Sequence, residues 1–368
     1  MNRILLLMLV AAPIAIVLDL TGAASPAIVF VVSAVALIPL ASLIGQGTEE
    51  LAHYTGPRLG GLLNATLGNA AELIITIFAI RAGLLELVKA SITGSIIGNL
   101  LLVLGLSLVA GGLKFGTQVF DRRQASLNAT LLVMAVVVLL IPSIFDRALV
   151  DSPRSELLFS EGAAIVIILL YALTVIYSFT SGKTAHPPTE KQHVTSETPA
   201  AVVRETAEVH EVRWSLRTAS LVLLGATVAT AILSETLIGA VEPVVQQLGL
   251  TEFFLGLIII PLVGNVAEHL VAVQVAMKNN MELSLAVSLG SSLQIALFVA
   301  PLLVFISLLF GQRLLLVFND FELIALASSS LIAALIALDG ESNWLEGAML
   351  LAVYLIVALG FFFLPAHL

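Results

Sequence analysis

Long apolar runs alternate along this chain with short polar or Gly/Pro breaks. The runs repeatedly reach about 20 residues, the length that crosses a hydrocarbon core roughly 30 Å thick. Reading from break to break gives eleven spans, near 4–20, 27–50, 57–81, 87–112, 124–144, 156–181, 216–240, 251–277, 281–309, 315–338 and 343–365. Some connections are very short, such as Asn279-Asn280 after the eighth run, so neighbours in sequence should lie antiparallel. The pattern predicts an all-α polytopic membrane protein of about 11 transmembrane helices.

From Gly182 to Arg213 the pattern stops, and Pro187-Pro188, five Glu and three of the six His appear. This stretch reads as a solvated loop, either a nearly charge-balanced linker or one carrying a short helix at 200–212 with Glu205, Glu208 and Glu211. The resulting plan is an N-terminal helix in 1–25, a first five-helix repeat in 26–181, a cytosolic loop in 182–215 and a second five-helix repeat in 216–368. The opening run resembles a signal peptide, but the basic-residue count works better with a retained helix. With eleven spans, one side collects eleven Lys/Arg, among them Arg58, Lys114, Arg213 and Lys278, and the other only Arg81, Lys89, Arg147, Arg154 and Arg313. The positive-inside rule then puts the N-terminus and the long loop in the cytosol.

Shifting the sequence against itself by 196 residues aligns the third and fourth spans with the eighth and ninth. Gly68-Asn69 falls on Gly264-Asn265, Ala71-Glu72 on Ala267-Glu268, and Gly94-Ser95 on Gly290-Ser291. An internal duplication is the economical explanation. Five spans separate the copies, so they should run in opposite directions, as in transporters with inverted repeats and a site near the midplane.

Glu72 and Glu268 lie within apolar runs, where an acid costs about 2.5–3.5 kcal/mol on the insertion scale and so needs a partner or a task. Asn69 and Asn265, three residues earlier, share their helix faces. Gly68 and Gly264 permit close helix approach. On the partner spans Ser91, Ser95 and Asn99 form one polar stripe, and Ser284, Ser288, Ser291, Ser292 and Gln294 another. Such small polar groups either join helices or line a pathway.

Composition sharpens this reading. Only 11% of residues are charged against 59% hydrophobic, cysteine is absent, and the net charge is −9. Disulfides, thiolate metal sites and nucleic-acid binding are therefore set aside, and a metal must be held by oxygen or imidazole. Two carboxylates with amide and backbone oxygens make a hard cage that suits Ca²⁺ better than Mg²⁺, with Mn²⁺ left open. Metal and protons would compete for the same oxygens, and His269 is either a proton relay or a structural histidine.

Gly68-Asn69-Ala70-Ala71-Glu72-Leu73-Ile74, Gly264-Asn265-Val266-Ala267-Glu268-His269 and Gly290-Ser291-Ser292-Leu293-Gln294 resemble the paired α-repeats of calcium/proton exchangers in the calcium/cation antiporter superfamily. The resemblance implies Ca²⁺ coordination by Glu72 and Glu268 with Asn69, Asn265 and Gln294 close by, and a sliding gate formed by the second and seventh spans. Glu49, Glu50, Glu235 and Glu242 on those spans would then draw cations to the mouths of the pathway, or be plain solvated charge. Eukaryotic relatives carry a strongly acidic helix in the middle loop, whereas the loop of this chain is nearly charge-balanced.

The expected partners are Ca²⁺, H⁺ and the lipid bilayer, with Ca²⁺ as cargo, no permanently bound cofactor and a homo-oligomer left open. Short loops and the lack of a targeting sequence point to a prokaryotic inner membrane. A sodium/calcium exchanger is the nearest rival, although Ala71 and Leu73 flank Glu72 and Ala267 precedes Glu268 where extra Na⁺ ligands would be needed. A passive channel is a third reading. An intramembrane hydrolase is remote, because neither an H-E-x-x-H helix nor a G-x-S-x-G elbow is present.

Overall fold

The computed structural model describes residues 3–149, 152–180 and 214–364. The segment 182–213, with its expected linker or short helix, lies outside them. In chain order the helices are α1 (Ile4–Thr21), α2 (Pro26–Leu67), α3 (Ala70–Ala82), α4 (Leu85–Phe115), α5 (Arg122–Leu149) and α6 (Pro153–Thr180). There follow α7 (Leu216–Leu248), α8 (Glu252–Gly264), α9 (Val266–Ala276), α10 (Met281–Leu309), α11 (Asp320–Asp339) and α12 (Trp344–Phe363). Two-residue strands β1 (Gln118–Val119) and β2 (Glu341–Ser342) pair antiparallel.

The chain is an all-α polytopic membrane protein. Among the described residues nine helices are long and apolar enough to cross a membrane, or ten if the bent pair α8–α9 counts as one span. The expected span near 57–81 is not one straight helix. Gly56, at φ 78°, turns the chain inside α2, a conformation that only glycine adopts cheaply. The run resumes over 57–67, breaks again at Gly68-Asn69, and continues as α3.

Helix directions follow from the contacts. Only Gly83 and Leu84 separate α3 from α4, so these two are antiparallel. Lys114 near the end of α4 donates to the Met277 carbonyl at the end of α9 (2.8 Å), and Gln118 Nε2 donates to the Ala276 carbonyl (3.1 Å). Therefore α9 runs parallel to α4 and antiparallel to α3. The two copies of the Gly-Asn-x-Ala-Glu segment are inverted in space.

Close backbone packing holds the copies together. A side chain at Gly94 would overlap the Leu257 carbonyl, and one at Gly256 would stand 2.5 Å from the Leu87 carbonyl, so α4 and α8 meet backbone to backbone. A similar approach joins α4 to α12 at Gly105 and Gly347.

Candidate ion-binding site

The two glutamates are not in the middle of continuous helices. Asn69 (φ −94°, ψ 15°) and Asn265 (φ −108°, ψ 10°) interrupt the helical path, and α3 and α9 begin at the next residue. The second break bends the path by 63°. Glu72 and Glu268 thus occupy the first turns of half-helices, where free N–H groups and the helix dipole favour negative charge. The same breaks free carbonyls at the end of the preceding half-helix.

Around Glu72 the donors converge from both copies. Its Oε1 accepts from Ser95 in a short hydrogen bond and from Ser91 at 3.4 Å, both on α4. Its Oε2 accepts from Asn265 Nδ2 at 3.1 Å, and the same amide lies 3.1 Å from Ser95 Oγ. The Glu72 side chain is 1% exposed. Glu268 is half-buried and accepts from Ser291 on α10 at 2.5 Å. Ser91, Ser95, Asn265 and Ser291 are all buried.

Cross-links complete the cluster. Asn69 Nδ2 donates to Gln294 Oε1 at 2.9 Å, and Asn99 Nδ2 donates to Ser291 Oγ at 3.1 Å. Asn99 sits in a π-helical stretch (Gly98–Val103) and Gln294 directly precedes another (Ile295–Val299). Such wide turns are a local departure often found at functional sites. The glycines are reciprocal: a Cβ on Gly264 would lie 3.1 Å from Glu72 Cβ, and one on Gly68 would lie 3.2 Å from Glu268 Oε1. Each glycine makes room for the opposite copy's glutamate.

The donor set fits a hard cation. Both asparagines spend their amide N–H groups on protein acceptors, leaving Asn69 Oδ1 and Asn265 Oδ1 buried with no hydrogen-bond partner. An orphaned buried acceptor is costly unless something electropositive meets it. Two carboxylates and two such amide oxygens form an all-oxygen set of the type Ca²⁺ takes.

Other residues singled out from the sequence fall elsewhere. Ser292 donates to the Ser288 carbonyl of its own helix (2.9 Å). His269 Nε2 is buried without a hydrogen-bond partner. Of the four acids on α2 and α7, Glu49 and Glu242 are exposed, and Glu235 pairs with Arg81 at 3.4 Å. Glu50 Oε2 accepts from the Trp214 backbone N–H at 3.3 Å, while Tyr54 donates to the Trp214 carbonyl at 2.7 Å. None of the four shares a hydrogen bond with the Glu72–Glu268 cluster. Reading from sequence missed Glu322, a buried acid on α11, although the Asn319-x-x-Glu spacing is a capping-box signal.

Antiparallel broken helices that bring two intramembrane carboxylates together where the duplicated segments meet define a secondary transporter of the inverted-repeat class. The sodium/calcium exchanger protein family matches residues 25–180 and 218–363. A Ca(2+)/H(+) antiporter of Aphanothece halophytica is 44% identical over 345 residues, covering 92% of this chain and 90% of that protein. The Ca(2+)/H(+) antiporter ChaA of Bacillus subtilis (strain 168) is 42% identical over 366 residues, 99% of this chain and 100% of its own length. The solved structure of native YfkE superposes with a TM-score of 0.82 at 40% identity, covering 98% of this chain and all of that one (100%). The chain belongs to this family, among the calcium/proton exchangers of the calcium/cation antiporter superfamily.

Proposed function

We propose that this protein exchanges Ca²⁺ for protons across a membrane by alternating access, with Glu72 and Glu268 as the shared site for metal and protons and Asn69 and Asn265 as amide-oxygen ligands. The observation that carries this is the pairing of two intramembrane carboxylates with two orphaned buried amide oxygens. A pair of carboxylates in so dry a place must be neutralised in every state that crosses the bilayer. Ca²⁺ neutralises it in one direction and protons do so in the other, which is the physical basis of coupling. Gln294, Asn99, Ser95 and Ser291 hold the ligands in place, and His269 relays protons beside Glu268. Glu49, Glu50, Glu235 and Glu242 contribute negative potential at the mouths of the pathway.

In this reading the halves 26–181 and 216–368 form two five-helix repeats behind an N-terminal helix in 1–25, joined by a cytosolic 182–215 loop. The eleventh crossing is 57–67 together with α3. The N-terminus and Lys278 face the cytosol of a prokaryotic inner membrane. The cysteine-free chain allows a direct check with single cysteines at Lys278 and Glu86, both exposed. An impermeant thiol reagent should reach the two from opposite sides, and labelling of both from one side would remove the inverted arrangement.

Activity is tested by uptake of radioactive Ca²⁺ into proteoliposomes with an imposed pH gradient. Uphill accumulation driven by that gradient is expected. Accumulation driven only by a Na⁺ gradient would instead indicate sodium/calcium exchange, and purely downhill flux a channel.

A further inference from the structure

A second fully buried carboxylate lies outside the ion site. Among the described residues, Glu72 and Glu322 are the acids sealed in the bundle, each 1% exposed. Glu322 opens α11. Its Oε2 accepts from the Asn319 N–H at 2.9 Å while its own N–H donates to Asn319 Oδ1 at 2.9 Å, a capping box. A cap uses one carboxylate oxygen and works equally well at the surface. It explains neither the burial nor the other oxygen.

That other oxygen, Oε1, accepts from Thr93 Oγ1 at 2.8 Å, and Thr93 is fully buried on α4. Thr93 stands midway between Ser91 and Ser95, which serve Glu72. At about 100° per residue, a position two residues away lies roughly 160–200° round the helix. Helix α4 is therefore held by a carboxylate on each of two opposite faces, Glu72 through Ser91 and Ser95 and Glu322 through Thr93. The shift by 196 residues puts Leu289 in place of Thr93 on α10, and Ser126 on α5 in place of Glu322. The second copy of the helix has no such clamp.

We propose that Glu322 is a positioning residue for exchange: by holding Thr93 it fixes the rotation of α4, so that Ser91 and Ser95 stay on Glu72. The inference rests on the reading of Glu72 as a ligand site. A helix turned by about 20° carries an atom roughly 4 Å from its axis by about 1.4 Å, enough to break a hydrogen bond. The clamp thus converts a remote carboxylate into precision at the site.

The test is a set of single and double variants in proteoliposomes, each checked for a monodisperse folded protein. Thr93→Val should raise the apparent KM for Ca²⁺ about fivefold, the loss expected of one hydrogen bond, with the maximal rate within about twofold. Thr93→Ser, which restores the hydroxyl, should recover the parent KM. Glu322→Gln, which keeps an amide oxygen for Thr93, should stay within about twofold of the parent. Ser95→Ala should raise KM alone, and Thr93→Val added to it should cost clearly less than it does in the parent, because the shorter of the two contacts it positions is already gone and only the longer one from Ser91 remains. Multiplying effects in the double variant, an unchanged KM in Thr93→Val, or a folded Glu322→Gln without transport would each overturn the proposal alone. An unchanged KM in Ser95→Ala would overturn the ligand-site reading beneath it as well.

Discussion

The two copies of the Gly-Asn-x-Ala-Glu segment share a skeleton and differ in how they are closed. In each, an asparagine breaks the span, a glutamate opens the next half-helix, and a serine 23 residues further on donates to it, Ser95 to Glu72 and Ser291 to Glu268. Beyond that the copies part. Glu72 also takes the opposite copy's Asn265 and is sealed, whereas the matching Asn69 turns to Gln294 and Glu268 stays half-buried. The positions that decide this are the ones the duplication did not keep, since Gln294 answers to Gly98 and Asn99 to Ile295. Gly94 is pressed against Leu257, while nothing lies within 4 Å of a Cβ on Gly290. One copy is locked and the other looser. The lesson is that a symmetric fold can present its two carboxylates unequally, which alternating access requires of any single conformer.

The comparison breaks most sharply at the carboxylates themselves. Glu72→Gln and Glu268→Gln each leave Ca²⁺ with one negative ligand, and both should reduce uptake to background. If Glu268→Gln still accumulated Ca²⁺ against its gradient, the looser copy would not be a ligand site. The asparagines should then separate the copies. Asn265→Ala strips a donor from sealed Glu72 and deletes an orphaned oxygen, so transport at limiting Ca²⁺ should fall about tenfold. Asn69→Ala also deletes an orphaned oxygen but strips no donor from a carboxylate, so it should cost about threefold, and an equal loss in both would erase the asymmetry.

Proton competition gives a smaller, graded effect. Raising pH removes the competitor from shared oxygens, so apparent Ca²⁺ affinity should rise by about a few-fold per pH unit in the parent. An affinity that falls with rising pH would contradict a shared site. The smallest effect is expected at the rim. Arg81 and Glu235 are 58% and 62% exposed in their side chains, so Glu235→Gln should change uptake by less than about twofold, a difference that high salt abolishes.

Much of this was legible before any fold was known. Apolar runs long enough to span a bilayer, the duplication and the pairing of Asn with Glu are local patterns, readable wherever period and spacing carry the signal. Ser91, Ser95 and Asn99 could be placed on one face from spacing alone. The breaks at Asn69 and Asn265 were not legible, because a Gly-Asn pair inside an apolar run is compatible with a continuous helix until a partner element occupies the bend. Nor could sequence show that Glu50 engages Trp214, or that Glu322 is buried, since both depend on contacts between residues far apart in the chain.

Sequence by itself determined that the chain lives in a bilayer, that its chemistry is duplicated, and that Glu72 and Glu268 need a reason to be there. Those conclusions follow from transfer energetics and repeat spacing, which act residue by residue. Only the tertiary structure decided which donor meets which carboxylate. It placed Asn265 on Glu72 but Asn69 on Gln294, and it left two amide oxygens orphaned beside the pair. The physical reason is that hydrogen bonds between inverted copies are set by how closely α4 and α8 approach at Gly94 and Gly256. That distance is a property of two packed backbones, written in neither segment alone.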